Sequence, residues 1–313
     1  MSVFLEGAAM SEKTLRFGIL GAGGVGGYFG AVLARAGADV VLIARGEHLA
    51  KIRADGLRVE TAQGAFTTPL AATANPAEAG LCDIILVAVK LWDTETAVDA
   101  IAPMVGPETT IISLQNGIDA EPAFAARYGE DRVFGGVAQI SATIGAPGVI
   151  AKHSGFARIV FGELGRAQPD RAAALLDAFT QAGIEAKHST DIQAELWRKF
   201  IFLVALSGAT ATTGKPIGEV LADPDDRALF EALVRETHAL SQAKGIGLAP
   251  ETTAQIVTFA EGLPHAMRAS MAHDLIAGNR LELDWLSGAV VRMAHENGIP
   301  VPENTRVVEA LGG

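Results

Sequence analysis

The stretch Gly21–Gly30, GAGGVGGYFG, decides the reading of this chain. It follows the apolar run Phe17, Ile19, Leu20 and leads into Tyr28, Val32 and Leu33, spaced as one face of a helix. A pyrophosphate needs such a segment. Gly21 permits a tight turn out of a strand, Gly23 leaves no Cβ between backbone and phosphate, and Gly26 lets the next helix lie close to the sheet. That helix points free N–H groups and the positive end of its dipole at the anion. A lone GxGxxG is a weak signal, and the bland alternative is a glycine-rich surface turn. Here strand, turn, helix and a second strand at Asp39–Ala44 supply the context the motif requires. Ala22, Gly24 and Val25 complete the candidate cofactor loop with Gly21, Gly23 and Gly26.

The rest of the chain narrows what can bind there. Its 313 residues suggest about two domains, and 49% hydrophobic residues suffice for sizeable cores. The net charge is −11 with no Lys/Arg run, so the electrostatic footprint of a nucleic-acid binder is missing. An anionic cofactor must then be held by local positive groups. The single cysteine, Cys82, cannot form an internal disulfide, and the seven histidines show no HxxxH or HxH spacing, so no metal is expected. The N-terminus lacks the basic start and apolar core of a secretory signal. The longest apolar run, Phe200–Leu206, is far short of a membrane span. A soluble, cytoplasmic protein is expected, with residues 1–13 a loose leader and Met10 an alternative start.

Short apolar runs alternate with helical segments in the first half. Strands are expected at Arg16–Leu20, Asp39–Ala44, Ile84–Val89, Thr110–Leu114 and Val133–Ala138, and a helix at Tyr28–Ala36. Leu57–Glu60 and Phe66–Leu70 flank TAQG as a hairpin insertion. Near-continuous apolar strands between helices indicate an α/β fold, a doubly wound, Rossmann-like sheet over residues 14–188. Helical patterns follow at Asp191–Ala211, Asp225–Lys244, Thr252–Glu261, His265–Ile276, Leu281–Glu296 and Glu303–Leu311. Residues 189–313 therefore read as an all-helical domain that supplies substrate-binding and catalytic groups.

The second strand ends Ile43–Ala44–Arg45, where an NAD-specific site would carry a carboxylate for the ribose 2′-OH. A guanidinium there can instead grip a 2′-phosphate through two parallel hydrogen bonds, so the cofactor expected is NADP(H). Glu47 is the one nearby acid that opposes this, and a solvent-facing Arg45 is the alternative. Lys90 ends the third long apolar run, at the sheet edge that lines the ligand crevice in such folds. Asn116 lies in Gln115–Asn116–Gly117, which is also simply a good turn. Lys199, in ELWRKFIFLVAL, is followed by unbroken apolar residues. Burial at such an edge lowers a lysine pKa and makes it a usable proton donor, although helical lysines are usually solvated. Glu282 reads most plainly as a carboxylate near a helix N-terminus.

Together these segments resemble the ketopantoate reductase (2-dehydropantoate 2-reductase) family from about Leu15 to Leu311. The residues that carry the resemblance are GAGGVGG, VLIARG, VAVK with Lys90, LQNG with Asn116, WRK with Lys199, and SMAHDLIAGNRLELDWLSG with Ser270, Asp274, Gly278, Glu282 and Gly288. The resemblance implies NADPH-dependent reduction of a 2-oxo acid. It implies that Lys199 protonates the carbonyl oxygen and that Glu282 lies near both cofactor and lysine. Ser270 then contacts substrate, while Asn116 and Lys90 contact both ligands. Gly21–Gly26 and Arg45 match the cofactor loop and the 2′-phosphate site.

One departure bears on the substrate. Where the family often places asparagines, this chain has Leu203, Ser207 and Ile217. Each unpaired polar group of a substrate costs about 1–3 kcal/mol, of which Ser207, as a substrate contact, could recover part. The expectation is ketopantoate reduction, with a less polar 2-oxo acid as one alternative and a non-catalytic NADP(H) sensor as another. The site should lie in a cleft that closes on substrate, and residual apolar helical surface could serve a homodimer.

Overall fold

A computed structural model describes residues 14–312, so the expected leader with Met10 lies outside the described residues. Twelve strands run in chain order: β1 Arg16–Leu20, β2 Asp39–Ile43, β3 Leu57–Thr61, β4 Gly64–Thr68, β5 Ala71–Thr73, β6 Cys82–Val87, β7 Val105–Ser113, β8 Val133–Gln139, β9 Ala142–Ala146, β10 Val149–Lys152, β11 Arg158–Glu163 and β12 Glu185–His188. Eight of them form one sheet in the order β12-β11-β8-β7-β6-β1-β2-β5. The pairs from β8 to β5 are parallel, and β11 turns antiparallel against β8. Alternation within a strand sorts side chains to the two faces. Ile84 and Leu86 join Phe29 and Leu33 on one side, while Ile85 and Val87 join Ile101 and Phe124 on the other. Helices cover both faces, as a doubly wound sheet requires.

Register sets where the site must be. Leu20 pairs with Ile43 and with Val87, and Val87 pairs with Ser113. The chain therefore leaves β1, β2, β6 and β7 along one edge, carrying Gly21, Arg45, Lys90 and Asn116 with it. β1 sits between β2 and β6, so the winding direction reverses there, and a crevice opens at such a switch point.

A second sheet, in the order β4-β3-β10-β9, lies over the helix Gly24–Arg35, with Ile150 against Gly27. The expected hairpin is its β3–β4 pair. β9 gave no sequence signal because it is exposed nearly throughout and shows no alternation. After β12 the chain is helical. The helix Ile192–Thr213 begins at Asp191, whose carboxylate accepts the Ala194 N–H at 3.0 Å. Its first turns pack Ile192 and Leu196 on Val137 and Val160 of the sheet. Farther on, Phe200, Ile201 and Val204 form a core with Phe230, Leu233, Val290 and Val307 from the helices Pro224–Ala243, Ser287–Asn297 and Pro302–Leu311. Among the described residues no helix is long and apolar enough to cross a membrane.

Several element boundaries differ from expectation, β7 among them, which begins at Val105 rather than Thr110. The first helix starts at Gly24, not Tyr28, so Gly24, Val25 and Gly26 form its opening turn. β6 stops at Val87, which leaves Lys90 in the loop beyond it. Residues before Ser270 are not helical, because Met267 and His265 carbonyls accept the Ile217 and Gly218 N–H groups at 2.8 and 3.1 Å. The stretch from Leu281 breaks into a short 3-10 turn, Leu283–Trp285, and the helix Ser287–Asn297.

Candidate active site

The glycine loop has the shape its sequence implied. Gly21 adopts φ +100°, which a side chain would strain, and donates its N–H to the Ile43 carbonyl at 3.1 Å. An added Cβ on Gly26 would run into the Gly21 carbonyl, and one on Gly24 into the Ala142 backbone. A Cβ on Gly23 would instead point into open space. The helix beginning at Gly24 has no side-chain cap and no acid in its first turn. Its unpaired N–H groups and dipole face that space, which fits a dinucleotide pyrophosphate. Sequence reasoning missed the residue that braces this loop. His48 Nε2 donates to the Ala22 carbonyl at 2.9 Å, and its Nδ1 accepts the Gly148 N–H at 3.0 Å. Burial pushes the His48 pKa down, which favours the neutral ring these two bonds need. No motif marks it; only the fold brings residues 22, 48 and 148 together.

Arg45 precedes the helix Gly46–Asp55 and is 88% exposed, with Asp93 Oδ2 at 3.4 Å rather than Glu47 as its acidic neighbour. Lys90 turns inward. Its Nζ lies 3.2 Å from Asp274 Oδ2 and 3.5 Å from Glu282 Oε2. The Glu282 carboxylate is buried and also accepts the Leu91 N–H at 3.3 Å. Glu282 does precede a helical start, the 3-10 turn Leu283–Trp285, as its sequence suggested, but its carboxylate makes no cap there and reaches the loop after β6 instead. Gln115 Nε2 donates to the Lys90 carbonyl at 3.4 Å and to Thr94 Oγ1 at 3.0 Å, tying the loop after β7 to the loop after β6. Beside it Asn116 is partly buried, with no hydrogen-bond partner among the described residues, and Gly117 turns the chain at φ +83°. Across the same seam Trp92 and Trp285 stand 6.4 Å apart, with the Arg280 guanidinium over both rings.

Lys199 keeps some exposure, but dense packing strips water from its ammonium and lowers its pKa to about 8. The carboxylates of Glu121 and Glu282 oppose that fall without a direct ion pair among the described residues. Glu121, in the helix Ala120–Tyr128, is only 3% exposed, and burial raises its pKa to about 7. The sequence did hint at it, since the acid sits beside Ala120 and one turn from Phe124 on the buried face of that helix.

The remaining expected contacts make none of these bonds. Leu203 and Ser207 follow Lys199 along one helix face, the first partly and the second almost wholly buried. Ser270 is exposed at the start of the helix Ser270–Ile276, one turn from Asp274. Ile217 departs from expectation. It is fully buried in the helical core, so it lines no ligand surface here.

Two family models match the chain: ketopantoate reductase PanE/ApbA over residues 17–166, and its C-terminal region over 191–313. A 2-dehydropantoate 2-reductase of Mesorhizobium japonicum is 30% identical over 309 residues, covering 92% of this chain and 94% of the relative. The crystal structure of 2-dehydropantoate 2-reductase from Porphyromonas gingivalis is 32% identical, covers 96% of this chain and 100% of its own, and superposes with a TM-score of 0.85. D-mandelate dehydrogenase with NADH and anilino(oxo)acetate shares the fold at 22% identity, with a TM-score of 0.88 and coverage of 95% and 97%. On this evidence of sequence and fold, the chain belongs to the ketopantoate reductase family of oxidoreductases.

Proposed function

We propose that this protein reduces 2-dehydropantoate to the 2-hydroxy acid with NADPH. The observation that carries the reading is Lys199. It is a half-buried lysine with a lowered pKa that feels the charge of Glu282, which is itself anchored to the loop after β6 through the Leu91 N–H. A reduced nicotinamide held along that edge supplies the hydride. Gly21–Gly26 bind its pyrophosphate through the open helix end, and Arg45, exposed at the end of β2, binds the 2′-phosphate in place of Asp93.

The chain's own groups do the rest. Addition at the carbonyl carbon leaves negative charge on oxygen, which the Lys199 ammonium stabilises before giving it a proton. A pKa of about 8 keeps Lys199 charged at neutral pH yet makes it a far better acid than a solvated lysine. Glu282 orients Lys90 and supports the Lys199 charge. Lys90 and Asn116 meet cofactor and substrate from the sheet side, and Ser270 and Ser207 meet substrate from the helical side. The residues 14–188 and 189–313 then form the two walls of a cleft that closes on substrate.

A second reading keeps the chemistry and changes the substrate. Leu203, one turn after Lys199, offers a methyl surface where a polar substrate wants a donor, which favours a less polar 2-oxo acid. NADPH oxidation assayed with 2-dehydropantoate and a panel of aliphatic and aromatic 2-oxo acids separates the readings. The first expects the highest kcat/KM for 2-dehydropantoate, and the second for an apolar acid that Leu203→Asn weakens. Tight NADPH binding with no turnover on any member would overturn both and leave a sensor.

A further inference from the structure

The second sheet is fixed to the glycine loop at three points. His48 joins the Ala22 carbonyl to the Gly148 N–H, one residue before β10 begins. Ile150 packs on Gly27, and the backbone of Ala142 in β9 lies so close to Gly24 that an added Cβ would overlap its carbonyl. Register extends this contact by one residue. Ala142 pairs with Lys152 at the end of β10, and Ile150 and Lys152, two residues apart, face the same side. That side holds the helix Gly24–Arg35, and Lys152 Nζ stands 5.6 Å from the centre of the Tyr28 ring. Tyr28 comes one turn after Gly24, and helical side chains lean toward the N-terminus, so the ammonium is held near the opening turn of the helix.

Lys152 is partly buried and makes no ion pair among the described residues. The stretch Gly21–Gly30 contains no basic residue, and the whole chain carries a net charge of −11. A dinucleotide pyrophosphate brings full negative charge to this loop, where backbone N–H groups and a helix dipole supply only partial positive charge. We propose that Lys152 binds the cofactor pyrophosphate, reaching it from the second sheet and supplying the full positive charge the loop lacks. The inference rests on the dinucleotide reading of Gly21–Gly26. The face of the Tyr28 ring attracts the ammonium and seats it without neutralising it, so the charge stays available to an anion. Arg45 and Lys152 then have different tasks. Arg45 meets the 2′-phosphate, which NADPH alone carries, whereas Lys152 meets the diphosphate that NADPH, NADH and ADP have in common.

The test measures Kd for NADPH, NADH and ADP by fluorescence titration and competition, for wild type, Lys152→Gln and Lys152→Arg. Loss of one charge-assisted contact should weaken all three ligands in Lys152→Gln by a similar factor, about tenfold at low salt. Lys152→Arg keeps the charge and should stay within about threefold of wild type. The gap between wild type and Lys152→Gln should narrow at about 1 M salt, where the Debye length is about 3 Å, whereas a gap caused by lost packing would persist. Should Lys152→Gln fold poorly, Lys152→Met, which keeps the stem over Tyr28 and removes the charge, gives the same comparison. Unchanged affinities in the neutral variants overturn the proposal, as does a salt-independent loss. A loss confined to NADPH also overturns it, since that would move Lys152 to the 2′-phosphate. Wild type that binds none of the three ligands would instead overturn the dinucleotide reading, and the proposal with it.

Discussion

Gly21, Arg45, Lys90 and Asn116 share one sheet edge because four parallel strands end in register, whereas Lys199, Glu282 and Glu121 come from segments far apart in the chain and act on one another's charge. The first wall is specified by backbone and by glycine. Its chemistry is an open helix end and a cradle a Cβ would fill. The second wall is specified by burial. Packing removes water from an amine and a carboxylate, and that shifts their proton affinities toward neutrality. The difference teaches where function is vulnerable. Changes on the sheet edge should act on cofactor affinity, and changes on the helical side on the chemical step.

The bond between the walls is the most sensitive place to break this division. Glu282→Ala removes the acceptor of the Leu91 N–H and one partner of Lys90. At about 1.5–3 kcal/mol for each hydrogen bond to a charged group, kcat/KM should fall by about 100-fold or more. A loss confined to NADPH affinity would show that Glu282 belongs to the cofactor wall alone. Next in size is Arg45→Ala. Loss of a bidentate phosphate contact should raise KM for NADPH by about 10- to 100-fold and leave KM for NADH unchanged. Equal changes for both cofactors would remove Arg45 from the 2′-phosphate site.

The comparison also explains what was legible in the sequence. Strands β1, β2 and β6 and the second half of β7 were readable because each is a short apolar run, and their common edge followed from parallel pairing. Lys90 and Asn116 could be placed by that logic alone. His48 could not, because it sits in no motif and depends on Gly148, 100 residues away in the chain; Glu121 showed only as an acid on an otherwise apolar helix face. Ile217 misled for the opposite reason: a position aligned with a polar one turned out to lie in the core, where an apolar side chain is what packing requires. Glu282 was legible as a residue but not as a contact, since the break in its helix is set by tertiary bonds rather than by propensity.

Two smaller effects sharpen the division. The Lys199 pKa is depressed to about 8, so its proton is lost as pH rises through that value; kcat should fall about tenfold per pH unit above it and level off below it. A flat profile through about pH 9.5 would mean that the donor is not this lysine. On the sheet edge, Gly26→Ala forces a Cβ against the Gly21 carbonyl, while Gly23→Ala meets open space. The first should cost about 1–3 kcal/mol of stability, read as a lower Tm. The second should leave Tm unchanged and weaken NADPH binding only. A cofactor affinity untouched by Gly23→Ala would argue that the phosphates lie elsewhere.

The most direct test of two walls with two tasks is Lys199→Ala, with NADPH affinity measured by fluorescence titration and kcat by NADPH oxidation on the same preparation. The account predicts an NADPH Kd within about threefold of wild type and a kcat lower by about 100- to 10,000-fold, the range of a lost general acid. A normal kcat, or a loss of turnover matched by an equal loss of NADPH binding, would contradict it.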